Sequence, residues 1–137
     1  MTFAAPRGGA LKPLRHPRWW LGAWVCPLIA TVVASLLPVF LLPVVPRGAD
    51  KLEHFGGYAL LAAAAVQLFA PKRALWRAAM GLVALGIALE IAQGAFTTTR
   101  QMDVVDAIAN TCGVAAGMAI ALTPLRDLLP RLVGRGG

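Results

Sequence analysis

Four apolar stretches, Trp19 to Leu37, Asp50 to Phe69, Ala78 to Phe96 and Asp103 to Leu122, are each long enough to cross a bilayer as a helix. In hydrocarbon every backbone amide must be satisfied within its own segment, so such a chain is held to an α-helical bundle. With 58% hydrophobic and only 14% charged residues, an ordinary soluble domain is excluded. The net charge of +7 would suggest nucleic acid in a soluble protein. Here the basic residues stand at the ends of the apolar stretches and read as topology signals, and no nucleic-acid partner is expected.

Arg7, Lys12, Arg15 and Arg18 precede the first stretch, Lys72, Arg73 and Arg77 lie between the second and third, and Arg126, Arg131 and Arg135 follow the fourth. Ten of the thirteen Lys and Arg residues therefore fall on one side. The positive-inside rule makes that side cytoplasmic, with both termini in. The expected fold is all-α, a bundle of four transmembrane helices in a bacterial inner membrane. Residues 1–18 form a basic cytoplasmic segment, 19–122 the membrane domain, and 123–137 a cytoplasmic tail whose leucines, at helical spacing among arginines, read as an amphipathic segment. A cleaved leader ending at Ala34 is an alternative for the first stretch, disfavoured because apolar residues continue past Ser35. The prolines at 38, 43 and 46 deny the next segment a regular helix, leaving an interfacial connector or, alternatively, a flap over the outer site. Cys26 and Cys112 suggest packing rather than a disulfide framework. No Cys-x-x-Cys or His-rich run points to a metal centre, and no cofactor is expected.

A carboxylate inside an apolar run costs roughly 3 kcal/mol on insertion scales and is a functional-site hypothesis by default. Glu90 is such a group, and His54, one turn into its stretch, is its basic counterpart. Counting depth at ~1.5 Å per residue places Tyr58, Glu90 and Asn110 in one layer and His54, Gln93 and Asp106 in the layer above it. Lys51, Arg100 and Asp103 then rim the opening, with Arg100 expected to pair with Asp103 or Asp106. Capping offers a structural reading of Asp50 with Glu53 and of Asp103 with Asp106. Gln93 and Asn110 could equally be interhelical hydrogen-bond partners. Gly86, Gly94, Gly113 and Gly117 are expected to face other helices, where small residues let backbones approach.

The ordered pattern Lys51-x-x-His54-Phe55-x-x-Tyr58, Glu90-x-x-Gln93 and Arg100-x-x-Asp103-x-x-Asp106-x-x-x-Asn110-x-x-Gly113 resembles the VanZ-like family of small bacterial membrane proteins. The resemblance covers residues 50 to 117, about half the chain, and departs at Thr99, where a glycine is more usual. It implies a multi-pass protein of the bacterial envelope. The founding member is associated with resistance to the glycopeptide teicoplanin, and the family as a whole carries no settled activity.

Two functional classes follow. In the first, an outward pocket binds the headgroup of a membrane lipid or lipid-linked cell-wall precursor, with Lys51 and Arg100 meeting its anionic groups and Tyr58, Gln93, Asp103, Asp106 and Asn110 fixing its orientation. In the second, an enzyme acts on such a lipid, with His54 and Glu90 as base and acid. A structural subunit, meeting a membrane-protein partner or a second copy through the polar face, is a further alternative.

Overall fold

The computed structural model describes residues 9–134, and these are helical, with no strand among them. Arg7 and Arg135, counted in the charge pattern, lie outside the described residues. The helices are α1 (Pro17–Leu36), α2 (Ala49–Leu68), α3 (Lys72–Phe96), α4 (Val104–Met118) and a short α5 (Leu128–Val133). A 3-10 turn over Ala119–Leu122 prolongs α4, and a second over Pro124–Asp127 leads into α5.

Three of these elements, Pro17–Leu36, Lys72–Phe96 and Val104–Leu122, are long and apolar enough to cross a membrane. The second expected span forms a helix of the same length as α1, 20 residues. Its first two turns carry Asp50, Lys51, Glu53 and His54, which lower its hydropathy. Its position explains that composition: α2 is the central helix, burying Tyr58, Leu61, Ala62, Ala65, Val66 and Leu68. α3 begins at Lys72 rather than Ala78, directly after Pro71, whose fixed φ suits the residue ahead of a helix.

Small residues set the closest approach. A Cβ built on Gly113 would stand 2.3 Å from the Phe55 carbonyl oxygen, and one on Gly117 2.3 Å from that of Ala59. Helices α2 and α4 therefore touch backbone to backbone there, as small-residue seams allow in lipid. Gly86 faces Asn110 and Tyr58, while Gly94 faces Met102 in the turn before α4 rather than a helix. Helix α1 buries no residue fully. It is docked by Trp24, whose indole N–H donates to the Leu61 carbonyl at 2.9 Å and whose ring meets Phe69 edge-on.

Two expectations are corrected. Asp50 does not cap α2: Gly48 holds that position at φ 84°, a left-handed conformation that glycine adopts without strain, and Asp50 lies inside the first turn. Asp103 does cap α4, its Oδ1 accepting from the Val105 N–H at 2.8 Å. Both cysteines are exposed on the protein surface, not packed inside it.

The end of the bundle beneath α2 is strapped. Lys12 N–H donates to the Leu68 carbonyl at 2.7 Å and Ala70 N–H to that of Ala10 at 3.1 Å, with Leu14 buried below. Lys12 Nζ reaches Asp127 Oδ1 at 2.9 Å, which puts the segment before α1 and the tail at the same end. Gln67 fastens the tail twice, donating to the Leu125 carbonyl at 2.9 Å and accepting from Leu129 N–H at 3.0 Å. Nothing in the spacing of Gln67 singled it out.

Candidate functional site

At the opposite end, about 20 Å away along α2 from Gln67 to His54 at 1.5 Å per residue, the same helices diverge around a cavity of about 590 Å³. Helix α2 brings His54 and Tyr58 to it, α3 brings Glu90 and Gln93, and α4 brings Asp106 and Asn110. Tyr58, Glu90 and Asn110, the expected deep layer, line the cavity and are each at most 3% exposed, but contacts cross the expected layers, His54 meeting Asn110 and Glu90 the backbone of Asp103. These groups share one face because spacings of three and four residues return to the same side of a helix.

Lys51 takes the pairing role expected of Arg100. Lys51 Nζ lies 2.6 Å from Asp103 Oδ2, 3.3 Å from Asp50 Oδ2 and in a short contact with Asp106 Oδ1. Its ammonium is thereby committed to three carboxylates. Arg100, expected to pair with the aspartates, makes no ion pair among the described residues, and its Nε is buried without a hydrogen-bond partner among them. It lines the cavity as the cation available to a ligand. The reversal follows from reach: Lys51 sits on α2 facing the first turn of α4, while Arg100 sits in the turn ahead of it, where its carbonyl accepts from Thr97 Oγ1 at 3.4 Å.

Glu90 Oε2 accepts the Asp103 backbone N–H at 3.2 Å, so the acid supports the entry to α4 while facing the cavity. Gln93 donates to the Ser35 carbonyl at 2.9 Å and so ties α3 to α1. His54 Nδ1 lies 3.0 Å from Asn110 Oδ1, and its Nε2 lies 3.7 Å from Asp106 Oδ2. One donor atom each from His54, Glu90 and Asp106 falls within 4.8 Å of the others. The Tyr58 hydroxyl is buried beside them with no partner among the described residues.

Two further sets of residues belong to this cavity, the first not assigned to it from sequence and the second expected there only as an alternative. Asp50 and Glu53, read as caps, line its mouth. The proline-rich connector contributes Val39, Leu42, Pro43 and Val45, and its Val39 N–H donates to Thr99 Oγ1 at 3.3 Å. The connector thus lies over the site, in the position of the flap alternative. A second cavity, about 680 Å³ and almost wholly apolar, runs between α1, α2 and the tail, past Trp24, Leu60, Leu61, Leu128 and Leu132. Thr31 and Gly57 line both cavities, so the polar space and the apolar groove adjoin at the crossing of α1 and α2.

No family model, curated protein or solved structure matches the chain.

Proposed function

We propose that this protein binds an amphiphile of the bacterial envelope, a lipid or lipid-linked cell-wall precursor, with the headgroup in the polar cavity and an acyl chain in the apolar groove. The observation that carries the reading is the junction at Thr31 and Gly57. A water-soluble ligand needs only the first cavity, whereas a lipid needs a polar and an apolar site in continuity. Arg100, uncommitted to a carboxylate, is the group to meet a phosphate or carboxylate of the headgroup.

In this reading the chain is a four-span inner-membrane protein with cytoplasmic termini, the charge pattern placing the strap end inside and the polar cavity toward the outer leaflet. The VanZ-like spacing supports an envelope role of the kind associated with glycopeptide resistance. A second reading, an enzyme on the same lipid with His54 and Glu90 as base and acid, is favoured by the closeness of their donor atoms.

Gly57 lines both cavities and a Cβ there meets nothing within 4 Å, so Gly57→Leu places its side chain at the junction. Gly56, equally open but lining neither cavity, supplies the control Gly56→Leu. Mass spectrometry of lipids retained through purification should show an anionic species enriched over the bulk membrane with wild type. That species should be depleted at least fivefold in Gly57→Leu and kept in Gly56→Leu. A retained profile equal to bulk lipid, or unchanged by Gly57→Leu, refutes the reading. Topology is tested separately in a Cys26→Ser, Cys112→Ser background: a membrane-impermeant thiol reagent applied to intact cells should label Thr98→Cys and spare Gly134→Cys.

A further inference from the structure

We propose that His54, Glu90 and Asp106 form a binding site for a divalent transition-metal ion of the zinc and manganese type on the wall of the polar cavity. This goes beyond amphiphile binding and does not rest on it.

The argument begins at the imidazole. His54 Nδ1 stands 3.0 Å from Asn110 Oδ1, and an amide oxygen can only accept, so Nδ1 carries a proton. In the neutral ring Nε2 is then a bare lone pair, and it faces Asp106 Oδ2 at 3.7 Å. Two acceptors oppose one another across a gap too wide for a hydrogen bond even with a protonated ring. Ligands of a tetrahedral zinc ion with bonds of 2.0–2.2 Å stand roughly 3.4 Å apart, so a cation between these atoms fits with little movement. A proton on one ring nitrogen, held by an outer partner while the other nitrogen is free, is the usual arrangement of a metal-binding histidine.

Glu90 completes the set from a third helix, its donor atom within 4.8 Å of the other two. Closing that 4.8 Å limit to the ~3.4 Å spacing of tetrahedral ligands takes at most about 1.4 Å of movement, which torsions of a glutamate side chain can supply. Asp106 is pre-positioned by Lys51, which contacts Oδ1 and leaves Oδ2 directed at the histidine. Asp50, Asp103 and Asp106 share the single Lys51 ammonium, and Glu90 stands beside Asp106 with no cation paired to it among the described residues, so carboxylates outnumber paired cations here, a setting that a divalent ion suits.

A second observation is independent of the three ligands. The Tyr58 hydroxyl, in a residue 3% exposed, lines the same cavity and finds no partner among the described residues. Buried hydroxyls are nearly always hydrogen-bonded. A water or anionic headgroup oxygen in the open coordination position, the fourth beside three protein ligands, would satisfy it. One imidazole nitrogen with two carboxylates suits zinc or manganese better than magnesium, which favours oxygen ligands alone.

The test uses purified full-length protein in detergent, stripped with chelator, in a Cys26→Ser, Cys112→Ser, His16→Gln background that removes the other soft ligands. Titration with zinc chloride or manganese chloride should show one equivalent bound, at least tenfold tighter than magnesium chloride. Glu90→Gln and Asp106→Asn should abolish that binding, Asn110→Ala should weaken it about 10–100-fold, and Asp127→Asn, at the opposite end of the bundle, should leave it unchanged. Absence of saturable zinc and manganese binding, or binding that survives both carboxylate substitutions, overturns the proposal. If the carboxylate variants do not fold, the parent decides alone. One equivalent of zinc must protect His54, then the chain's one histidine, from acylation by diethyl pyrocarbonate, and unchanged acylation refutes the site. The lipid readout with Gly57→Leu is unaffected by either result, so the two proposals fail separately.

Discussion

Helix α4 shows two opposite uses of one face. Asp106, Asn110, Gly113 and Gly117 lie along a single stripe toward α2, and all four are buried. In the lower half the glycines let the backbones touch. In the upper half the side chains hold the helices apart, and the cavity is the space left between them. A polar cavity in lipid needs walls that do not collapse onto one another, and the seam supplies the fixed point from which they diverge. The lower half is explained entirely by packing. The upper half is not, because packing alone gives no reason to bury Glu90 and Asp106 beside one committed lysine.

The strongest way to break this contrast is to add bulk to the seam. Gly113→Leu drives a side chain into backbone atoms of Phe55 and Ala59, which move only if α2 and α4 separate. Overpacking a rigid contact of this kind should cost about 3 kcal/mol or more, read as loss of a monodisperse folded species in detergent. Gly57→Ala, in the same central helix but open to space, should instead stabilise by about 0.5–1 kcal/mol through helix propensity. Equal tolerance of both substitutions would mean that the seam does not hold the bundle.

An intermediate effect is expected at the rim. Lys51→Met leaves Asp103 and Asp106 without their ammonium, and since the lysine side chain is 33% exposed the cost should fall near 1–3 kcal/mol, below the range for a fully buried pair. Adding Asp106→Asn to Lys51→Met should recover part of it, because the stranded charge is removed. A double-mutant cycle on thermal unfolding in detergent measures the coupling. Strict additivity would show that the contact carries no energy and that Lys51 is as free as Arg100 to meet a ligand.

Much of this was legible in the sequence, and what was not has physical reasons. Apolar length located the four long helices, although α3 begins at Lys72 rather than Ala78 because the basic turn after Pro71 is helical without being apolar. The layer of Tyr58, Glu90 and Asn110 followed from depth, which depends on helical rise alone. Capping was ambiguous: the same spacing is a true cap at Asp103 and none at Asp50, because Gly48 takes the cap position two residues sooner. Which cation would meet the aspartates was decided by side-chain reach across α2 and α4, a tertiary fact that spacing does not carry. The depth count brought His54, Glu90 and Asp106 into one pocket, but not their ability to hold a metal, since three helices each contribute one donor and no local ligand motif exists to find. Gln67 was invisible because its partners are backbone groups of the tail.

The smallest effect is expected at the strap, where another lysine meets an aspartate away from the polar cavity. Lys12 donates to Asp127 Oδ1, and its ammonium holds that carboxyl below its ordinary value of 3.8. Because the folded-state value is depressed, the contact stabilises the protein above about pH 4 and that contribution is lost as pH falls through the folded value. The aspartate is 39% exposed, so solvent screening limits the pair to less than about 1 kcal/mol. Lys12→Ala should therefore lower the melting temperature slightly at pH 7, and the difference from wild type should shrink toward pH 3. High salt should shrink it too, since an exposed pair is screened. The Lys51 pairs, partly shielded within the bundle, should respond less to the same salt. If Lys12→Ala instead costs as much as Lys51→Met, the strap is as much a part of the bundle's fixed frame as the glycine seam. The division between a packed end and a held-open end would then have to move from the middle of α4 to the connector beyond the cavity.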